Sequence, residues 1–179
     1  MKKDLQNGRS MIEMLGVLSI IGILTVGGFS LVSKTVSENK INKVIDEVSD
    51  LAHRARVVFR EYIYDNKTGT DMTKYLYEAK AYPTDLEWNE SGSKFIDDED
   101  IEMKVLVMEK SAVKYYVLEI AKVSEEICMG IANGQWGTMS TNGFSGIAFS
   151  KDASVGGSID LGTAASTCAD GKTLYLAFR

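Results

Sequence analysis

The sequence predicts an α+β fold in which a long N-terminal helix is followed by a smaller, strand-rich head. Three observations support this class. Residues 14–33 contain no charged side chain, and residues 41–62 repeat apolar side chains at helical spacing. After residue 102, several short runs are rich in β-branched and aromatic side chains, which favour strands. A chain of 179 residues can hold one ordinary domain and an additional element.

The uncharged run at residues 14–33 has the length of a membrane-spanning helix. At about 1.5 Å per residue, 20 residues cross a hydrocarbon core of about 30 Å. Lys2, Lys3 and Arg9 precede the run, and the positive-inside rule therefore predicts a cytoplasmic N-terminus with the rest of the chain beyond the inner membrane. A cleaved signal peptide would be shorter and end in an A-x-A-like site. An uncleaved signal anchor fits the length.

Glu13 stands near the start of this apolar segment, with Met11 and Ile12 before it and Met14 and Leu15 after it. A charged side chain at the centre of a spanning helix costs roughly 2.5–3.5 kcal/mol, and less near the end. We interpret Glu13 as a functional group. The alternative is a carboxylate that reaches the lipid headgroups.

Residues 8–13 read GRSMIE and are followed directly by the apolar helix. This combination resembles the type III signal of prepilins in the type IV pilin and pseudopilin family. The resemblance implies that a peptidase cleaves after Gly8 and that the new N-terminus, Arg9, is methylated. It also implies that Glu13, the fifth mature residue, pairs with the terminal amine of a neighbouring subunit during assembly. Arg9 departs from the Phe or Met that is usual in the family.

The same resemblance implies a helix packed on an antiparallel β-sheet head with a C-terminal disulfide-bounded region. It divides the chain into four segments: a leader at residues 1–8, a hydrophobic assembly or transmembrane helix at 9–33, its amphipathic continuation at 34–64, and a globular head at 65–179.

The implied function is that of a structural subunit of a type IV pilus or pilus-like filament. The implied partners are other copies in a helical filament, a prepilin peptidase and an inner-membrane assembly platform. The chain would lie in the bacterial inner membrane as a single-pass protein before assembly, and in a pilus at the cell surface or in the periplasm afterwards. One alternative is a pseudopilin or minor pilin of a type II secretion or DNA-uptake machine. An alternative from another class is an uncleaved, signal-anchored periplasmic adaptor with a coiled-coil stalk.

The second half of the helix is predicted to be amphipathic and to end near residue 64. Apolar side chains recur every three or four residues, which is typical of a helix with one buried face. They are Ile41, Val44, Val48, Leu51, Ala55, Val58 and Tyr62. His53 lies between apolar and basic neighbours, and we interpret it as a packing or surface residue rather than a metal ligand.

In the head, residues 65–100 are predicted to form a connecting loop region. Ser124 followed by two acidic residues predicts the start of a helix that carries Cys128. The predicted strands are 103–108, 113–123, 147–149 and 173–178, and residues 156–165 are predicted as loop.

The chain has two cysteines, Cys128 and Cys168, without C-x-x-C spacing, and a single histidine. Zinc binding is therefore poorly supported. Behind a membrane anchor, the pair predicts one disulfide formed in an oxidising compartment, whereas two buried thiols would be expected in a cytosolic domain. A disulfide near a short helix and before the last strand resembles type IVb pilins, while the short leader resembles type IVa.

Charge and motifs favour a structural protein over an enzyme. The formal net charge is −5, which gives no sign of a nucleic-acid-binding surface. There is no P-loop and no G-x-G-x-x-G motif, and the single histidine leaves little basis for a catalytic triad. The acidic run at residues 97–100 lacks the ligand spacing of a calcium loop and is predicted to be a solvated turn. We therefore predict no cofactor, no metal and no catalytic residue.

Overall fold

The computed structural model of the chain describes residues 5–60, 69–134, 136, 143–168 and 171–179, and for residues 5–13, 22–34 and 161 it describes the backbone only. The chain divides into two compact units, Met1–Lys40 and Ile41–Arg179. The first helix contributes to both units.

The class is α+β, and the sheet is antiparallel, as predicted. The helices are α1 (Leu5–Phe59), α2 (Thr73–Glu78), α3 (Glu125–Ala132) and α4 (Leu161–Thr167), with a short 3-10 helix at Lys151–Ala153. The strands are β1 (Glu87–Asn89), β2 (Lys94–Ile96), β3 (Glu102–Lys110), β4 (Val113–Val123), β5 (Phe144–Ala148) and β6 (Lys172–Phe178). These six strands form one sheet in the order β1-β2-β3-β4-β6-β5.

The β3–β4 hairpin is the centre of the sheet and confirms the two predicted central strands. Its register runs without a break from Glu102 opposite Ala121 to Lys110 opposite Val113. A two-residue turn, Ser111–Ala112, joins the strands, and both residues have positive φ, at 54° and 61°. Turns of this kind favour Asn-Gly because both positions are left-handed. Ala112 therefore holds a conformation that is unfavourable for a residue with a Cβ.

Replacing Ala112 by Gly should remove this conformational cost. We expect the Ala112→Gly substitution to raise the free energy of unfolding by about 1 kcal/mol, because relief of left-handed strain exceeds the added backbone entropy of the unfolded chain. Urea unfolding measures the change. The control is Ala79→Gly, at an exposed residue with a φ of −74°, which should destabilise the protein. Equal destabilisation by both substitutions would contradict the strain argument.

The C-terminal part of α1 supplies one face of the hydrophobic core. The last member of the predicted apolar stripe, Tyr62, lies outside the described residues. The other members are confirmed: Val44, Val48, Leu51 and Ala55 are buried, and Ile41 and Val58 are partly buried. They share one cluster with side chains from the sheet, including Val105, Leu118, Ile120, Leu174 and Leu176. The described part of α1 ends at Phe59. The predicted helix end near residue 64 lies outside the described residues.

A hydrogen bond holds the last turn of α1 to the sheet. The buried Tyr116 hydroxyl on β4 donates to the carbonyl of Phe59, and the two rings lie 6.3 Å apart. Carbonyls in the last turn of a helix have no partner within the helix. Tyr116 therefore satisfies a buried carbonyl that the end of α1 leaves open.

The prediction of a loop over residues 65–100 was wrong for its described part, because α2, β1 and β2 lie there. These elements are held by specific contacts. The Val105 amide on β3 donates to the Thr73 hydroxyl at 2.9 Å, and the Tyr77 ring stacks on Trp88 at 4.5 Å. Elements of three to six residues are too short for periodicity to be diagnostic.

The loop predicted at residues 156–165 was also partly wrong, since α4 begins inside it. Asp160 caps this helix: its Oδ1 accepts from the Thr163 amide at 2.9 Å, and its Oδ2 accepts from the Thr163 hydroxyl at 2.8 Å. The predicted start of α3 was correct, and the Ser124 hydroxyl accepts from the Ile127 amide. The N-cap aspartate is a sequence feature typical of a helix start, but it was not used in predicting this segment.

Candidate functional site

The N-terminal unit presents an unusual density of apolar side chains on the part of α1 that precedes the head. From Met14 to Ile21 every residue is exposed, and six of the eight are large and apolar. Met14, Leu15, Val17, Leu18, Ile20 and Ile21 are each 52–69% exposed. At about 100° per residue they point in all directions around the helix axis.

A helix that is apolar all round is typical of a segment surrounded by other apolar groups, in a core, an assembly or a lipid bilayer. The one polar side chain in this stretch, Ser19, has its hydrogen-bond partner within the helix, because its hydroxyl donates to the Leu15 carbonyl at 2.8 Å. The segment at residues 14–21 is therefore suited to surroundings that offer no hydrogen-bond partners.

Gly8, Arg9 and Glu13 all lie on α1, ahead of the exposed apolar segment. Their side chains fall outside the described part of the structure, as do those of residues 22–34, so the predicted roles of these three residues stay predictions. A search of the described residues finds no helix with the length and apolar character needed to cross a membrane. Of the predicted span at residues 14–33, the side chains of residues 22–33 lie outside the described part of the structure.

A close contact joins α1 to α3 within the head. A Cβ at Gly130 would lie 2.3 Å from Cγ2 of Ile41, so no residue other than Gly fits unless Ile41 moves. Beside this contact is an open groove of about 520 Å³, lined by Ile41, Glu125, Glu126, Met129, Gly130 and Asn133. Its lining combines apolar side chains with two carboxylates and one amide.

The predicted disulfide between Cys128 and Cys168 is present. Cys128 lies in α3 and Cys168 directly follows α4, and their Cα atoms are 5.7 Å apart across 40 residues of sequence. Both cysteines are buried in the core cluster. The bond ties the two C-terminal helices together, immediately before strand β6.

Removing this crosslink should lower the free energy of unfolding by about 4 kcal/mol, from the chain entropy of a loop of this length. The double substitution Cys128→Ala/Cys168→Ala tests the expectation by guanidinium unfolding. Dithiothreitol should destabilise the parent protein and leave the double variant unchanged. A double variant as stable as the oxidised parent would contradict the prediction.

The head contains a feature that was not predicted from the sequence, a pair of buried carboxyl groups. Glu47 on α1 is only 4% exposed, and Asp97, after β2, is 6% exposed. The acidic run at residues 97–100 was predicted to be solvated, and its first member departs from that prediction. The helical spacing already indicated Glu47, since it follows Val44 by three residues and precedes Leu51 by four.

The described residues contain no group of three or more His, Cys, Asp or Glu side chains that could hold a metal ion. The single histidine, His53, is exposed on α1, which agrees with its interpretation as a packing or surface residue. The described head therefore offers structural contacts and one buried acidic pair.

Comparison of the chain with protein-family models, with curated proteins and with solved structures finds no match.

Proposed function

We propose that this protein is a type IV pilin-like filament subunit that is cleaved after Gly8 and assembled through its N-terminal helix at the inner membrane. The observation that carries the proposal is the exposed apolar segment of α1. It lies on the same helix as the stripe that packs in the head. One continuous helix thus combines a segment without cover and a segment with its own core.

The free energy available from covering this segment is large. Burial of a large aliphatic side chain contributes roughly 1.5–3 kcal/mol, so the six exposed side chains together offer on the order of 10 kcal/mol. A lipid bilayer covers them before assembly, and the helices of neighbouring copies cover them afterwards. A heterologous contact that repeats without closing produces an open helical polymer.

Cleavage after Gly8 gives the helix a specific polar contact at its start. The new amine of Arg9 is a cation, and Glu13 of a neighbouring copy is its partner. At about 4 Å and an effective dielectric constant near 20, such a pair attracts by roughly 4 kcal/mol before desolvation is subtracted. A copy in the wrong axial register would bury an unpaired carboxylate, so the pair selects register.

The head supplies the outer surface of the proposed filament. Its disulfide is suited to an oxidising compartment outside the cytoplasm. Prepilin peptidase and an assembly platform are the proposed partners besides other copies.

The mature N-terminus gives the first test. We expect the membrane-fraction protein from a host with a prepilin peptidase to begin at Arg9, with or without one added methyl group, as measured by intact mass and N-terminal peptide mapping. The Gly8→Ala variant should keep residues 1–8. Retention of residues 1–8 in the parent protein, in a host that processes another prepilin, would support the anchored adaptor instead.

Glu13 gives the second test. The Glu13→Gln substitution should leave membrane insertion and cleavage nearly unchanged but reduce the yield of sheared filaments at least tenfold, because the buried amine loses its counter-charge. The matched control is Glu38→Gln, which changes an exposed carboxylate on the same helix and should leave the yield unchanged. Normal filament yield from Glu13→Gln would exclude the proposed pairing.

A further inference from the structure

Buried carboxyl oxygens without hydrogen-bond partners lie where α1 meets the turn between β2 and β3. Among the described residues, neither oxygen of Glu47 accepts a hydrogen bond, and neither does Oδ2 of Asp97. The other Asp97 oxygen is satisfied, because Oδ1 accepts from the amides of Glu99 and Ile101 at 2.9 and 2.8 Å. Burying a charged oxygen without a partner is costly, so this site favours an uncharged carboxyl group.

The charges around Glu47 act in the same direction. Lys43, one turn earlier on α1, places its Nζ 3.6 Å from Glu47 Oε1 and donates its hydrogen bond to Asp98 instead. Asp97 and Asp98 face Glu47 from the β2–β3 turn, and Asp85 faces it from the segment before β1. One ammonium group therefore stands among four carboxyl groups.

Burial, and after it the neighbouring Asp97 carboxylate, raise the pKa of Glu47 to about 7. Burial also raises the pKa of Asp97, although its two backbone hydrogen bonds oppose the change. Glu47 is therefore the member of the pair that holds a proton near neutral pH.

We propose that Glu47 and Asp97 form a proton-operated latch that fastens the β2–β3 turn to α1 when a proton is bound between them and loosens it when the proton leaves. In the protonated state, the buried Glu47 carboxyl group is uncharged and is not repelled by the Asp97 carboxylate. In the deprotonated state, two buried carboxylates repel each other and Lys43 is shared with Asp98.

A proton suits this site better than a metal ion. The described residues hold no group of three or more Asp, Glu, His or Cys side chains arranged to bind one. Oxygen-ligated cations such as calcium need six or more ligands, and Asp97 Oδ1 is already engaged by two amides. The latch depends only on described residues of the head and is independent of the proposed filament function.

The direction of the pH effect follows from the proton balance. Between pH 4.5, the ordinary pKa of Glu, and about 7, the folded protein keeps a proton that the unfolded chain has released. The contribution of Glu47 to the free energy of unfolding is therefore fully present below about pH 4.5 and is lost as the pH rises towards 7. Between pH 5 and 8 the unfolding equilibrium constant should increase on the order of 70-fold through Glu47 alone.

The test compares thermal unfolding of the 179-residue chain and its Glu47→Gln variant in dodecyl maltoside. The melting temperature of Glu47→Gln relative to the parent should rise by about 5–10 °C between pH 5 and pH 8, because the amide cannot ionise. The matched control is Asp46→Asn, at the adjacent, exposed position of α1, whose difference from the parent should stay constant over this range. A Glu47→Gln difference that is equally constant would overturn the proposal.

Two further measurements keep the proposal testable if the variant folds poorly. In the parent protein, carbon-detected NMR should show one Glu carboxyl group titrating near pH 7, and titration of every Glu below about pH 5.5 would overturn the latch. The Glu99 and Ile101 amides should lose exchange protection at least tenfold from pH 5.5 to 8, after correction for intrinsic rates. Calcium that restores this protection at pH 8, with EDTA reversing it, would replace the proton with a cation and refute the proposal.

Discussion

The structure of the head depends on one buried contact, the seam between the apolar stripe of α1 and the sheet. Val44, Val48 and Leu51 lie in the same core cluster as side chains from β3, β4 and β6. The sheet has no other described helix of comparable length against it, and this helix supplies six of the buried residues of the core cluster. The seam also fixes the axial position of the helix, because Tyr116 holds its last turn and Gly130 admits Ile41 at close range.

The two parts of α1 differ in how their apolar side chains are covered. In the head, the apolar side chains of the stripe pack against other elements of the same chain. In residues 14–21, the apolar side chains are exposed on every side of the helix. A helix surface of this composition loses the free energy of hydrophobic burial when it is exposed to water, so residues 14–21 are suited to surroundings that cover them. This suitability does not depend on any single residue of the cleavage motif.

The sequence predicted best where a long pattern met a buried surface. The helical stripe, the β3–β4 hairpin and the Ser124 cap of α3 each show a clear local pattern. In each case tertiary contacts stabilise the element that the local pattern favours. The pairing of Cys128 with Cys168 followed from their being the only two cysteines. The elements α2, β1, β2 and α4, each at most seven residues long, were not predicted. Their positions depend on contacts between distant residues, such as Thr73 with Val105, which no local pattern contains.

Glu47 shows what periodicity leaves out. Helical spacing places it on the buried stripe, but only the fold brings Asp97 beside it and directs Lys43 to Asp98. Glu13 occupies the equivalent situation in the other segment, a carboxyl group within an apolar stretch of the same helix. A carboxylate without a counter-charge is costly to bury away from water, so each group needs a counter-charge or a proton when it is buried. Under the proposed function, Glu13 takes its counter-charge from a second copy, which makes neutralisation a condition of assembly. Under the proposed latch, Glu47 takes a proton from solvent, which makes the fastening of the β2–β3 turn to the same helix depend on pH.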